Sequence, residues 1–85
     1  MSDAISKAFG LVVRTRREAC GLSQEELAAL AGIHRTYVSS IELGKVRLGL
    51  EIAKKVALGL GVALSELIAE SEGEDYRRGK GSARR

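Results

Sequence analysis

The sequence predicts an all-α fold, five short helices packed around one core, with the second and third meeting at a steep corner. Three observations carry this. The 85 residues contain no proline, while Ala, Leu, Glu, Arg and Lys, all favourable in helices, recur throughout. Apolar residues return at spacings of three and four in several separate segments. Those segments are punctuated by Gly21, Gly32, Gly44 and Gly61, residues at which a helix can stop. A chain of this length has room for one core, not two. With one Phe, two Tyr and no Trp, that core must be aliphatic, and aromatic base-stacking platforms or cofactor cages are excluded.

The first helix is predicted over residues 4–19, where Ile5, Phe9 and Val13 share a face and Lys7, Arg14 and Arg16 point elsewhere. Cys20 reads as a small buried residue at its end. Ser23 and Glu26 stand three apart in the pattern of a capping box, which starts a second helix over residues 24–31. Gly32 can turn the chain, and Ile33 is an apolar plug beyond it. A third helix follows over residues 35–43, with Val38 and Ile41 inward and Arg35, Thr36, Ser39 and Ser40 outward. The fourth, over residues 50–59, buries Ile52 or Ala53, Val56, Ala57 and Leu60, its end frayed by Gly59 and Gly61. Ser65 is placed to cap a short fifth helix that carries Leu67 and Ile68. From Ser71 onward little remains to bury, so residues 1–70 form the domain and residues 71–85 a polar tail.

Fourteen basic and eleven acidic residues leave a net charge of +3, a modest bias toward anionic partners. One cysteine cannot form an internal disulfide, which suits a reducing cytoplasm. One cysteine and one histidine are too few soft ligands for a structural zinc site, so no metal or cofactor is expected. The longest apolar run, residues 56–64, is about half a membrane span, and no membrane partner is expected. No cluster of acid, base and nucleophile suggests an enzyme.

The segment from Gln24 to Leu43 places two short helices about a glycine, with Leu27 and the small Ala28 facing the corner from one side and Ile33, Val38 and Ile41 from the other. Together with Leu22-Ser23-Gln24-Glu25-Glu26-Leu27-Ala28, Ala31-Gly32-Ile33, and Tyr37-Val38-Ser39-Ser40-Ile41-Glu42-Leu43-Gly44-Lys45, this resembles the Cro/repressor-type (XRE) helix-turn-helix proteins of bacteria and phages. The likeness covers residues 5–69 and implies a compact five-helix lambda-repressor-like domain. Two positions depart from the family pattern. Leu48 and Gly49 precede the fourth helix where proline and a capping hydroxyl are common, and His34 starts the third where Ser, Thr or Asp is more usual. The run Arg35-Thr36-Tyr37 in so short a chain is also similar to the controller proteins of restriction–modification systems, which dimerise through their last helices and regulate their own operon.

The resemblance implies a transcriptional regulator that reads a pseudo-palindromic operator in double-stranded DNA as a homodimer, with RNA polymerase a candidate partner at the promoter. In helix-turn-helix proteins the motif's second helix enters the major groove by its N-terminal end. Arg35, Thr36, Ser39 and Ser40 are therefore the expected base readers, Arg35 foremost because a guanidinium matches guanine O6 and N7 bidentately. Gln24, His34, Tyr37, Lys45 and Arg47 are the expected phosphate contacts, with Arg14 and Arg16 as weaker candidates. Arg17 and Glu42 are expected to form a structural ion pair, and Leu64, Leu67 and Ile68 a dimer interface. The bland alternatives are a solvated polar helix face for the readers and a closed monomer core for the leucines. A reading of another class is a protein-binding module, an antitoxin or adaptor, that captures its partner with the fifth helix and the tail; Arg77, Arg78, Lys80, Arg84 and Arg85 there could add only diffuse attraction.

Overall fold

The computed structural model describes residues 4–79 and is all-α, with five helices in the order α1 (Ala4–Ala19), α2 (Gln24–Ala31), α3 (Arg35–Glu42), α4 (Leu50–Leu60) and α5 (Leu64–Gly79). Local chemistry fixes the helix ends. At α2, the Ser23 hydroxyl accepts from the Glu26 amide at 3.0 Å, and the Glu26 carboxylate accepts from the Ser23 amide at 2.8 Å, so two amides that the helix leaves unpaired are satisfied at once. Gly32 ends α2 at φ 73°, a left-handed conformation open to glycine, and lets Ile33 donate back to the Ala28 carbonyl. The start of α4 has only Gly49, with no side-chain cap.

One cluster of buried side chains forms the core: Phe9, Val12 and Val13 from α1, Leu27 and Ala28 from α2, Val38 and Ile41 from α3, Ala53, Val56, Ala57 and Leu60 from α4, and Leu67 from α5. With so little aromatic bulk, the helices must approach closely. A Cβ added to Gly10 would lie 2.1 Å from the Ile41 carbonyl oxygen, so α1 rests against the backbone of α3. A Cβ on Gly59 would lie 2.9 Å from Leu27 Cδ1 and 3.2 Å from the Ala31 nitrogen. Gly59 is thus no frayed end but the point where α4 meets α2.

A largely buried ion pair joins α1 to α3. Arg17 donates from Nε to Glu42 Oε2 at 2.6 Å and from Nη2 to Oε1 at 3.1 Å, while its Nη1 donates to the Leu22 carbonyl at 2.7 Å. The Glu42 side chain is 3% exposed. Hydrogen bonding to that carboxylate raises the Arg17 pKa further above its ordinary range.

Several expectations change at the C-terminal end. The fifth helix begins at Leu64, where the Ala63 carbonyl accepts from the Leu67 amide, so Ser65 lies inside the helix and does not cap it. The helix also passes residue 70 without a break. Glu66 and Glu70, one turn apart on α5, both accept from Arg16 of α1, at 2.7 and 2.6 Å, and Ser71 is buried with its hydroxyl donating to the Leu67 carbonyl. The first part of the expected tail therefore continues α5, which Glu66 and Glu70 tie to α1 just before it; Lys80, Arg84 and Arg85 lie outside the described residues. Leu67 is fully buried in the monomer core and has no surface to offer a second chain, which removes it from the expected interface. Cys20 is exposed in the turn after α1, not buried, because the helix closes one residue before it.

Four substitutions check these assignments. Gly10→Ala should lower the unfolding free energy in urea by about 1–3 kcal/mol through overpacking. Gly73→Ala, in α5 with open space around its Cα, should instead raise it by about 0.5–1 kcal/mol. Glu42→Ala, which strands the Arg17 guanidinium, should cost about 3–5 kcal/mol. Hydrogen bonding to Arg16 holds the Glu70 carboxyl below the usual carboxylate range, so the folded state binds fewer protons there than the unfolded chain. That contribution is present above the unfolded value and lost as pH falls through the folded one. Urea unfolding across the acid range should therefore show a shallower loss of stability in Glu70→Gln than in wild type.

Candidate nucleic-acid interface

The outward face of α3 follows from what its inward face must bury. Val38 and Ile41 are fully in the core and Tyr37 is half-buried against it. Arg35 and Thr36, at the first two positions, are exposed, and Ser39 and Ser40, one turn on, are half-buried beside them. Spacings of four pair Arg35 with Ser39 and Thr36 with Ser40, so all four share one polar strip. Arg35 is held only loosely, with Nε 4.0 Å from Glu25 Oε2 and both side chains exposed. Its guanidinium is available to a partner.

Both ends of α3 are pinned. At the start, His34 is the N-cap in extended conformation, and its Nδ1 accepts from the Thr36 amide at 3.2 Å. Histidine thus performs the task for which Ser, Thr or Asp is more usual. At the end, Gly44 has φ 72°, and a Cβ there would meet Lys7 Cγ at 2.8 Å, so the chain leaves α3 pressed against α1.

The phosphate candidates lie around this strip. Gln24, half-buried at the start of α2, donates from Nε2 to Glu42 Oε1 at 3.0 Å. The buried carboxylate therefore anchors the end of α3, Arg17 of α1 and the first residue of α2 together. In the loop after α3, Val46 and Leu48 pack against the core while Lys45 and Arg47 are exposed. The loop thus turns both cations outward. Arg14 pairs with Glu18 at 3.2 Å, and Arg16 is engaged by Glu66 and Glu70, which commits Arg16 to the α1–α5 contact.

Of the expected interface residues, Leu64 and Ile68 are half-buried. Leu50, which the sequence does not single out as an interface residue, is 77% exposed and lines two shallow grooves, one shared with Leu64 and one with Ile68. The missed signal was a leucine at the first position of a helix whose inward face starts later, at Ala53. Among the described residues no helix is long and apolar enough to cross a membrane, and no three His, Cys, Asp or Glu side chains are grouped to hold a metal ion.

Known proteins share this fold. The helix-turn-helix family model matches residues 13–67. The chain is 46% identical over 74 residues to the control protein C.MunI of a Mycoplasma species, covering 87% of this chain and 100% of that one. It is 38% identical over 69 residues to the control protein C.BamHI of Bacillus amyloliquefaciens, covering 80% and 85%. Among solved structures, the restriction-modification controller protein C.AhdI from Aeromonas hydrophila superposes with a TM-score of 0.74 at 40% identity, covering 76% of this chain and 98% of that one. A family match over most of the core, relatives of similar length and an exposed polar strip on α3 lead to one conclusion: the chain belongs to the Cro/repressor-type helix-turn-helix proteins, within them to the restriction–modification controller proteins, and is a sequence-specific DNA-binding regulator.

Proposed function

We propose that the protein occupies a pseudo-palindromic operator as a homodimer, each copy laying α3 in the major groove of one half-site. The observation that carries this is the strip of Arg35, Thr36, Ser39 and Ser40 along a helix pinned at both ends. Arg35 reads guanine through O6 and N7, and Thr36, Ser39 and Ser40 contact bases deeper along the same face. Phosphates flank the strip. The capping box uses the amides of Ser23 and Glu26, leaving those of Gln24 and Glu25 at the positive end of α2 to meet one phosphate beside the Gln24 side chain. Lys45 and Arg47 grip the backbone on the other side, with His34 and Tyr37 at the near edge.

One helix reads too few bases to single out a site, so two copies on half-sites about 34 Å apart supply the rest. The apolar surface suited to join them combines Leu64 and Ile68 with Leu50, which stands in for the buried Leu67. Bound at a promoter, such a dimer acts by occupancy or through RNA polymerase.

Selection of bound sites from random double-stranded DNA should return a twofold-symmetric consensus, and an asymmetric or absent consensus overturns the dimer reading. Arg35→Ala should lose about 1–3 kcal/mol of discrimination at one position per half-site, measured by fluorescence anisotropy, with an unchanged unfolding midpoint. The logarithm of wild-type affinity should fall linearly and steeply with the logarithm of salt concentration. A flat salt dependence would remove the phosphate contacts.

A further inference from the structure

At the first turn of α3, two hydrogens from one residue converge on a single ring nitrogen. His34 Nδ1 accepts the Thr36 backbone N–H at 3.2 Å and is also hydrogen-bonded to the Thr36 hydroxyl oxygen. A backbone N–H can only donate, so Nδ1 carries a lone pair and no proton. The hydroxyl, sharing that lone pair, must donate as well, in a three-centre arrangement. The proton of the neutral ring is then on Nε2, the edge that is not used by the helix.

A threonine hydroxyl ordinarily rotates to donate or to accept as its partner requires. Here its one hydrogen is spent on His34, and Oγ1 keeps only lone pairs. Lone pairs in the major groove match the amino groups of adenine N6 and cytosine N4 and oppose the keto oxygens of guanine O6 and thymine O4. We infer that His34 is a positioning residue for base readout: by accepting the Thr36 hydroxyl hydrogen it fixes Thr36 as an acceptor, so that Thr36 selects an amino-bearing base over a keto-bearing one. This rests on the placement of α3 in the major groove proposed above. The same tautomer leaves Nε2–H free to donate to a phosphate oxygen, so the phosphate contact and the base preference require one and the same ring state.

The test is site selection from random double-stranded DNA by the full chain and its variants. Thr36→Val keeps the shape and removes the hydroxyl, and the position whose preference it flattens is the one Thr36 faces. There the wild type should separate A and C from G and T in a fixed strand sense. Replacing the favoured adenine by purine, or the favoured cytosine by 2-pyrimidinone, should weaken wild-type binding and leave Thr36→Val unaffected. His34→Gly, glycine being well tolerated at a helix N-cap, frees the hydroxyl to rotate. It should cut the amino-over-keto preference at that position by about 3- to 10-fold, the range expected for one ordinary hydrogen bond. His34→Asn, whose Oδ1 can accept both hydrogens, should restore it, and His34→Gly in the Thr36→Val background should change no base preference.

A loss of affinity equal across all sequences in His34→Gly would reduce His34 to a cap or a phosphate contact and overturn the inference. So would an unchanged preference, or a wild type indifferent to removal of the amino group; this last comparison needs no His34 variant. A wild type that returns no consensus overturns the major-groove reading itself, and the inference with it. A clear wild-type consensus untouched by His34→Gly overturns only the role of His34.

Discussion

The carboxylate of Glu42 is the contact on which the arrangement of the first three helices depends. Removing a carboxylate from water is costly, and only well-placed partners repay it. Here three elements meet: two guanidinium donors from α1 and an amide from the first residue of α2 converge on Glu42, which itself ends α3. Each partner has a fixed direction, so the pair sets an angle as well as a distance. An apolar contact in the same place could hold the helices together, but it would allow them to slide.

Close backbone approach supplies the complementary constraint. Leucine, isoleucine and valine fill a small core only if the helices come near one another, and Gly10 and Gly59 remove the side chains that would keep them apart. Glycine within a helix is unfavourable by roughly 0.5–1 kcal/mol relative to alanine. Both sites accept that cost at a crossing point. Ala28, buried at the corner of α2 and α3, follows the same rule with a methyl group. The outcome is a short α3 seated against α1 and α2 by its inner face, with Arg35 and Thr36 exposed on its outer one.

Local signals made much of this readable from sequence. The capping box at Ser23, the turn at Gly32 and the inward spacing of Val38 and Ile41 are each decided within a few residues, and they locate the motif and its outer strip. The features that were not readable depend on partners distant in the chain. Glu66 and Glu70 one turn apart suggest an acidic stripe, but only the fold shows Arg16 opposite it, 50 and 54 residues away. Without that contact the segment after residue 70 looks merely polar. Leu67 and Leu64 are alike in the sequence, and their three-residue separation decides which one the core takes. His34 looked like a departure from the usual cap, although its ring nitrogen offers the same acceptor.

The loop from Gly44 to Gly49 carries its information as parity. Val46 and Leu48 reach the core while Lys45 and Arg47 reach outward, so that inward and outward residues alternate along it. Composition is therefore secondary to phase. Loss of one residue there would preserve most of the chain's basic character while exchanging inside for outside, setting a cation against the core and an aliphatic side chain toward solvent.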